Sequence, residues 1–148
     1  MARRYSIDGR DTNTDDTTIL ALTSAATIRP KVYDIVCGAY GTPADYAAEY
    51  LIQRYTAAGT STGVTPQALD PGDPASLASA GEAHSGEPTY TANAILLAFA
   101  KNARATFRWV AAPGGELVLP ATAANGVGVR VESVSSAYTE QFTIHYAE

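Results

Sequence analysis

The sequence is poor in the residues from which most metal and nucleophilic sites are built. Its 148 residues include one cysteine, Cys37, and two histidines, His84 and His145. A single cysteine excludes an intrachain disulfide. Its apolar surroundings in "YDIVCGAY" predict a buried small hydrophobe rather than a catalytic thiolate. The histidines form no His-x-x-x-His or Glu-x-x-His pair, the usual ligand patterns of zinc and di-iron sites, and we expect both to be solvated or at a strand edge.

Nucleotide-binding and acyl-transfer motifs are also missing. The fragment "GVG" at 126–128 lacks a third glycine and leads into a predicted strand instead of a helix. No phosphate loop with Gly-Lys-Ser/Thr and no Gly-x-Ser-x-Gly elbow occurs. Asp70, Asp73 or Glu87 leave room for one surface metal ion at most. We therefore expect a protein that is not an enzyme and that binds no cofactor.

Long apolar runs and clustered positive charge are absent too. The longest apolar stretch, "AILLAFA" at 94–100, is far shorter than the roughly 18 residues that a membrane-spanning helix needs. The start "MARRYSIDGR" has no apolar segment behind its arginines, which argues against a secretory signal. The net charge is −5, and no Lys or Arg occurs between Arg54 and Lys101. Because phosphate-backbone binding needs clustered cations, we expect no nucleic-acid partner. Because no apolar run is long enough to span a bilayer, we expect no membrane partner.

What the sequence does contain is period-two alternation, which is typical of half-buried β-strands. In "YTEQFTIHY", Tyr138, Glu140, Phe142, Ile144 and Tyr146 share one face. The same pattern runs through "KVYDIVC", "RATFRWVAA" and "VGVRVES", and glycine and proline turns lie between these segments. The segments 46–56 and 92–101 fit either a strand or a helix, and we interpret the first as a strand. The pattern predicts an all-β fold, an antiparallel β-sandwich or jelly roll.

Two segments are predicted to lie outside this body. Residues 1–18 are polar and turn-prone apart from a short alternation at Tyr5 and Ile7, and we expect them to form an extended N-terminal arm. Residues 65–88 contain four prolines and "DPGDP", and are predicted to form a long Pro/Gly-rich loop, with one or two helical turns at "ASLASAGEA". A loop of this length is often a binding surface. We expect a single β-sandwich domain at 19–148.

Three stretches carry a family resemblance. They are "RRYSIDGR", "TPADYAAEYLIQRYTAAGTSTGVTPQALDPGDP" and "RWVAAPGGELVLPATAANGVGV". They resemble capsid decoration (cement) proteins, small head-surface proteins of tailed bacteriophages. The resemblance covers most of the chain and consists of turns and strands rather than catalytic signatures. It implies a jelly-roll body attached to the outer surface of the virion capsid, where it stabilises the shell by bridging subunits of the phage major capsid protein.

The resemblance does not identify contact residues, so we infer them from the sequence. We expect capsid or oligomer contacts on the arm and on the long loop, namely at Arg3, Arg4, Tyr5, Ile7, Arg10, Asp70 and Asp73. Self-association as a homotrimer or homodimer fits this role, because symmetry would match the shell and linked contacts raise avidity. The nine tyrosines serve either the core or an interface. A carbohydrate-binding, lectin-like virion module for host attachment is the alternative function.

Overall fold

Two antiparallel β-sheets, packed face to face as a sandwich, make up the fold. The computed structural model describes residues 2–148. Its strands are β1 (Arg4–Thr12), β2 (Thr18–Thr23), β3 (Lys31–Ala39), β4 (Ala47–Ala57), β5 (Thr60–Val64), β6 (Gln67–Ala68), β7 (Ser79–Gly86), β8 (Thr89–Asn102), β9 (Phe107–Val110), β10 (Leu117–Val118), β11 (Gly126–Val134) and β12 (Thr139–Ala147). The all-β, antiparallel sandwich predicted from the sequence is confirmed.

The first sheet has the order β10-β3-β12-β1-β6, and β9 also pairs with β3. The alternation of β12 appears directly as alternating burial along Thr139–Ala147. Its partner β1 lies in register with it, so that Tyr5 faces Tyr146 and Ile7 faces Ile144. Paired residues point to the same face, and these four side chains therefore enter the core together.

The second sheet has the order β5-β7-β2-β11-β4-β8. Its centre is β11, where Val127, Val129 and Val131 are buried as their alternation predicts. Gly126 is required at the start of β11, because a Cβ there would lie 2.1 Å from the Leu22 carbonyl oxygen. Close packing of neighbouring strands therefore accounts for the glycine at this position.

Most tyrosines belong to the core. Tyr5, Tyr50, Tyr55 and Tyr146 are fully buried between or beside the sheets. Buried hydroxyls need partners, and they have them: Tyr5 donates to the Pro74 carbonyl at 3.0 Å, and Tyr146 bonds Ser76 at 2.6 Å. Of the two readings that the sequence left open, the core accounts for most of the tyrosine content.

The prediction that residues 1–18 form a separate N-terminal arm is wrong. Residues 4–12 form β1, an interior strand of the first sheet with β12 on one side and β6 on the other. Thr18 already begins β2 of the second sheet. The short alternation at Tyr5 and Ile7, which looked too small to fold alone, is stabilised by neighbours that lie at the far end of the chain.

The prediction that residues 65–88 form one long loop is also wrong in part. It contains the short strand β6 and the eight-residue strand β7, and "ASLASAGEA" enters β7 instead of forming helical turns. The proline-rich part between them, 69–78, is irregular, and so are residues 65–66 and 87–88. The two ambiguous segments are both strands: 46–56 corresponds to β4, which confirms our interpretation, and 92–101 lies within β8.

Candidate functional site

The start of β1 borders an open groove of about 360 Å³, which we call the N-terminal groove. Its lining residues are Ala2, Arg3, Arg4, Leu69, Asp70 and Asp73. The backbone amide of Leu69 donates to the Arg4 carbonyl at 2.8 Å, which extends the β1–β6 ladder into the following turn. In that turn the Gly72 amide donates to the Asp70 carboxylate at 2.9 Å. The two segments that the sequence analysis selected, near Arg3 and near Asp70, thus meet in one place.

The N-terminal groove combines both charge signs with exposed apolar surface. Within the described residues, 2–148, the side chains of Arg3, Arg4, Asp70 and Asp73 form no salt bridge. Leu69 is 50 % exposed, and Leu77, further along the same irregular segment, is 59 % exposed. Asp70 accepts a hydrogen bond from Gly72 and Arg4 lies over the Tyr33 ring. The charges of Arg3 and Asp73, beside the exposed Leu69, are available to a partner.

The other predicted contact residues do not reach this groove. Tyr5 and Ile7 are buried in the core, because the alternation of β1 turns them toward the second sheet, so the prediction that they are contacts is wrong. Arg10 is exposed, but it lies six residues along β1 from Arg4, roughly 20 Å away in an extended strand. Its guanidinium lies 3.7 Å from Asp8.

A second, larger groove of about 500 Å³ lies on the other side of Arg4, and we call it the tyrosine groove. Ala2, Arg4, Lys31, Tyr33, Ala111, Pro113, Glu116 and Ala147 line it. The Arg4 guanidinium lies 5.8 Å from the centre of the Tyr33 ring, and His145 stacks against the same ring at 6.2 Å. Arg4 therefore forms a ridge between the two grooves and is held in place by the Tyr33 ring.

A charged cluster beside the tyrosine groove fixes the orientation of His145. Asp34 is 4 % exposed and accepts two hydrogen bonds from Arg108, at 3.0 and 2.8 Å, and one contact from His145 Nδ1 at 3.2 Å. The Arg108 hydrogen bonds hold the pKa of the Asp34 carboxyl below its usual value. The cluster arranges charged groups rigidly on the outer face of the first sheet, and His145 has its polar contact with Asp34 rather than with a nucleophile.

Cys37 and His84 are placed by packing. Cys37 is buried, as predicted, and burial raises the pKa of its thiol to about 12. His84 lies on β7 instead of a solvated loop, so that prediction is wrong. Its Nδ1 is 3.1 Å from the Thr18 carbonyl oxygen, and burial lowers the pKa of its ring. Among residues 2–148 no three His, Cys, Asp or Glu side chains come together as a metal site, Asp70, Asp73 and Glu87 included.

A buried polar network between the sheets was not predicted from the sequence. It consists of Asn13, Tyr50, Lys101, Tyr138 and Glu140. Lys101 donates to a Glu140 carboxylate oxygen at 2.9 Å, and the Tyr50 hydroxyl donates to the same oxygen at 3.0 Å. A signal was present, since Glu140 occupies the apolar face of β12 in the alternation.

Across residues 2–148 the structure contains no helix with the length and apolar character needed to span a membrane. Comparison of the chain with protein-family models, with curated proteins and with solved structures finds no match.

Proposed function

We propose that this chain is a structural virion protein that binds the outer surface of a tailed-bacteriophage capsid and stabilises it by bridging major capsid protein subunits. The observation that carries the proposal is the N-terminal groove, where Arg3 and Asp73 present opposite charges beside the exposed side chain of Leu69. Charged and apolar groups together are typical of a surface that docks another protein.

The scaffold behind the groove suits a passive structural role. Arg4 is part of an interior strand, and the turn at Asp70 is bonded back to that strand through the Leu69 amide. A contact surface on paired strands loses little conformational freedom on binding, which favours affinity. A protein that binds the assembled shell but not the separate subunits stabilises the shell by mass action.

Self-association is part of the proposal, as a homotrimer or homodimer. Strand β8 is one of the two edge strands of the second sheet and is fourteen residues long. It carries no charged residue from Thr89 to Ala100, and Ile95 is exposed on it. Long uncharged edge strands pair readily with another chain. We expect Ile95→Lys to lower the oligomeric state in light scattering coupled to size-exclusion chromatography.

The carbohydrate-binding alternative has weaker support. A sugar platform needs an open aromatic face, and Tyr33 is the aromatic residue that lines the tyrosine groove. The guanidinium of Arg4 and the imidazole of His145 both lie against that ring. Binding to a glycan array without binding to heads would favour this alternative over the capsid role.

The decisive experiment is co-sedimentation of purified protein with undecorated phage heads. The wild-type protein should pellet stoichiometrically at many copies per head. Arg3→Glu should weaken binding about tenfold, equivalent to about 1.4 kcal/mol, because it reverses a charge in the N-terminal groove. Arg10→Glu is the matched control, since it makes the same charge change on an exposed side chain outside the groove and should bind like wild type. Equal loss in both variants, or no binding by the wild type, would contradict the proposal.

A further inference from the structure

A lysine and a glutamate meet inside the sandwich, away from both grooves. Lys101, near the end of β8, and Glu140, on β12, belong to different sheets. Their side chains are 4 % and 0 % exposed, and Lys101 Nζ lies 2.9 Å from Glu140 Oε2. Removing two opposite charges from water is costly even when they pair, because the desolvation penalty can exceed the attraction. A neutral product of the same two groups would avoid that cost.

The two oxygens of Glu140 have different surroundings. Oε2 receives hydrogen bonds from Lys101 Nζ and, at 3.0 Å, from the Tyr50 hydroxyl. Oε1 is buried and has no hydrogen-bond partner among the described residues. Burying a carboxylate oxygen without a hydrogen-bond partner costs more free energy when the group is charged than burying a neutral amide carbonyl does.

Aromatic rings surround the pair, and Lys101 Nζ has a second polar partner, the Ala105 carbonyl, to which it donates at 3.2 Å. Lys101 Nζ lies 5.9 Å from the centre of the Tyr50 ring and 5.8 Å from that of Tyr138, and Phe142 packs against Tyr50 at 5.1 Å. Burial raises the pKa of Tyr50, so that its hydroxyl remains protonated and able to donate.

We propose that Lys101 and Glu140 condense into an intramolecular amide that covalently joins the two sheets. The pair first exchanges one proton, which gives a neutral amine and a carboxylic acid protonated on Oε2. Nζ then attacks Cδ, the C–N bond forms, and the Cδ–Oε2 bond breaks. Oε2 leaves as water with its own proton and one from Nζ, while Tyr50 donates a hydrogen bond to it. Oε1 becomes the amide carbonyl oxygen, and no oxidant or co-reactant is consumed.

Asn13 is the other acyl group in the buried polar network, and the geometry favours Glu140 over it. The Asn13 side-chain amide donates to the Tyr50 hydroxyl, so that Tyr50 links it to Glu140, whereas Lys101 contacts Glu140 directly. Attack on Asn13 would release ammonia instead of water. The mass of the product therefore distinguishes the two routes.

The consequence for the fold is a tether on one of its edge strands. The link would fasten the end of β8, an edge strand of the second sheet, to β12, an interior strand of the first. A covalent loop between distant residues restricts the unfolded chain. Opening of the sandwich by peeling β8 away would then require a peptide-strength bond to break.

The test is intact-mass spectrometry of the purified, denatured full chain, followed by tryptic mapping. The expected mass is one water below that of the sequence, and Lys101→Arg should restore its own full mass because a guanidinium does not condense. Trypsin should fail to cut after Lys101, and the peptide containing Lys101 should remain joined to the peptide that begins at Val131.

Three results would overturn the proposal. The first is a wild-type mass equal to that of the sequence. The second is loss of ammonia with Asn13 in the joined peptide. The third is a missing water confined to the peptide with Asp8 and Gly9, where a cyclic imide forms without any cross-link. All three results are read on the wild-type protein, so none depends on whether a variant folds.

Discussion

Replacing Ile7 by alanine tests whether the beginning of the chain is a structural strand. Ile7 lies on β1 opposite Ile144 and is 1 % exposed. Truncating a buried isoleucine costs about 2–5 kcal/mol, from lost burial and from the cavity left behind. A chain of this size loses about 2–4 °C in melting temperature per kcal/mol, so we expect a fall of about 4–20 °C. Urea denaturation should show a lower midpoint with an unchanged slope.

The matched control is Asp8→Ala on the same strand. Asp8 is exposed, and its pairing with Arg10 at 3.7 Å is a surface contact worth little. Its melting temperature should stay within about 1–2 °C of wild type. If Ile7→Ala melted like Asp8→Ala, β1 would be a loosely attached arm, and the reasoning that places it in the core would be refuted.

Three further predictions concern stability and reactivity. Because Arg108 lowers the pKa of Asp34 in the folded state, Asp34→Asn should be less stable than wild type at pH 7. Urea melts should show this stability difference shrinking as pH falls below 3.8, the ordinary pKa of Asp. A stability difference that stayed constant with pH would contradict the prediction. Gly126→Ala should destabilise by about 1–3 kcal/mol in the same melts through its clash with the neighbouring strand, whereas Gly63→Ala, with open space around it, should be nearly neutral. Cys37 should resist a thiol reagent at pH 8 until denaturant is added, and fast labelling of the folded protein would contradict its burial.

The sequence predicted well the parts of the fold whose pattern is local. The alternation placed Phe142 and Ile144 on one face of β12, and Val129 and Val131 on one face of β11, and the structure buries these faces. The fold class followed, because alternating segments separated by turn residues leave few other arrangements.

The errors arose where a strand depends on distant partners. Residues 4–12 are polar and short in pattern, and their place in the sheet comes from pairing with residues 139–147 at the other end of the chain. Strand β7 is similar: "SAGEAHSG" has little strand propensity, and it is held between β2 and β5. The residues of a strand do not by themselves specify which distant strand it pairs with.

The candidate sites also differ in how far the sequence could predict them. Arg3, Arg4, Asp70 and Asp73 were selected as charged residues on two flexible-looking segments, and the ladder between β1 and β6 brings those segments together. The contact of Lys101 with Glu140 could not be predicted, since it requires knowing how the two sheets face each other. An acidic residue on the apolar face of a strand is the signal that a search for buried partners should use.

A cryo-EM reconstruction of the phage particle that carries this chain tests the central claim most directly. The proposed function predicts many symmetric copies of the twelve-stranded sandwich on the outside of the capsid, with the groove formed by Arg3, Leu69 and Asp73 turned toward a major capsid protein subunit. A capsid exterior with no density for the sandwich, or copies whose groove faces solvent, would contradict it.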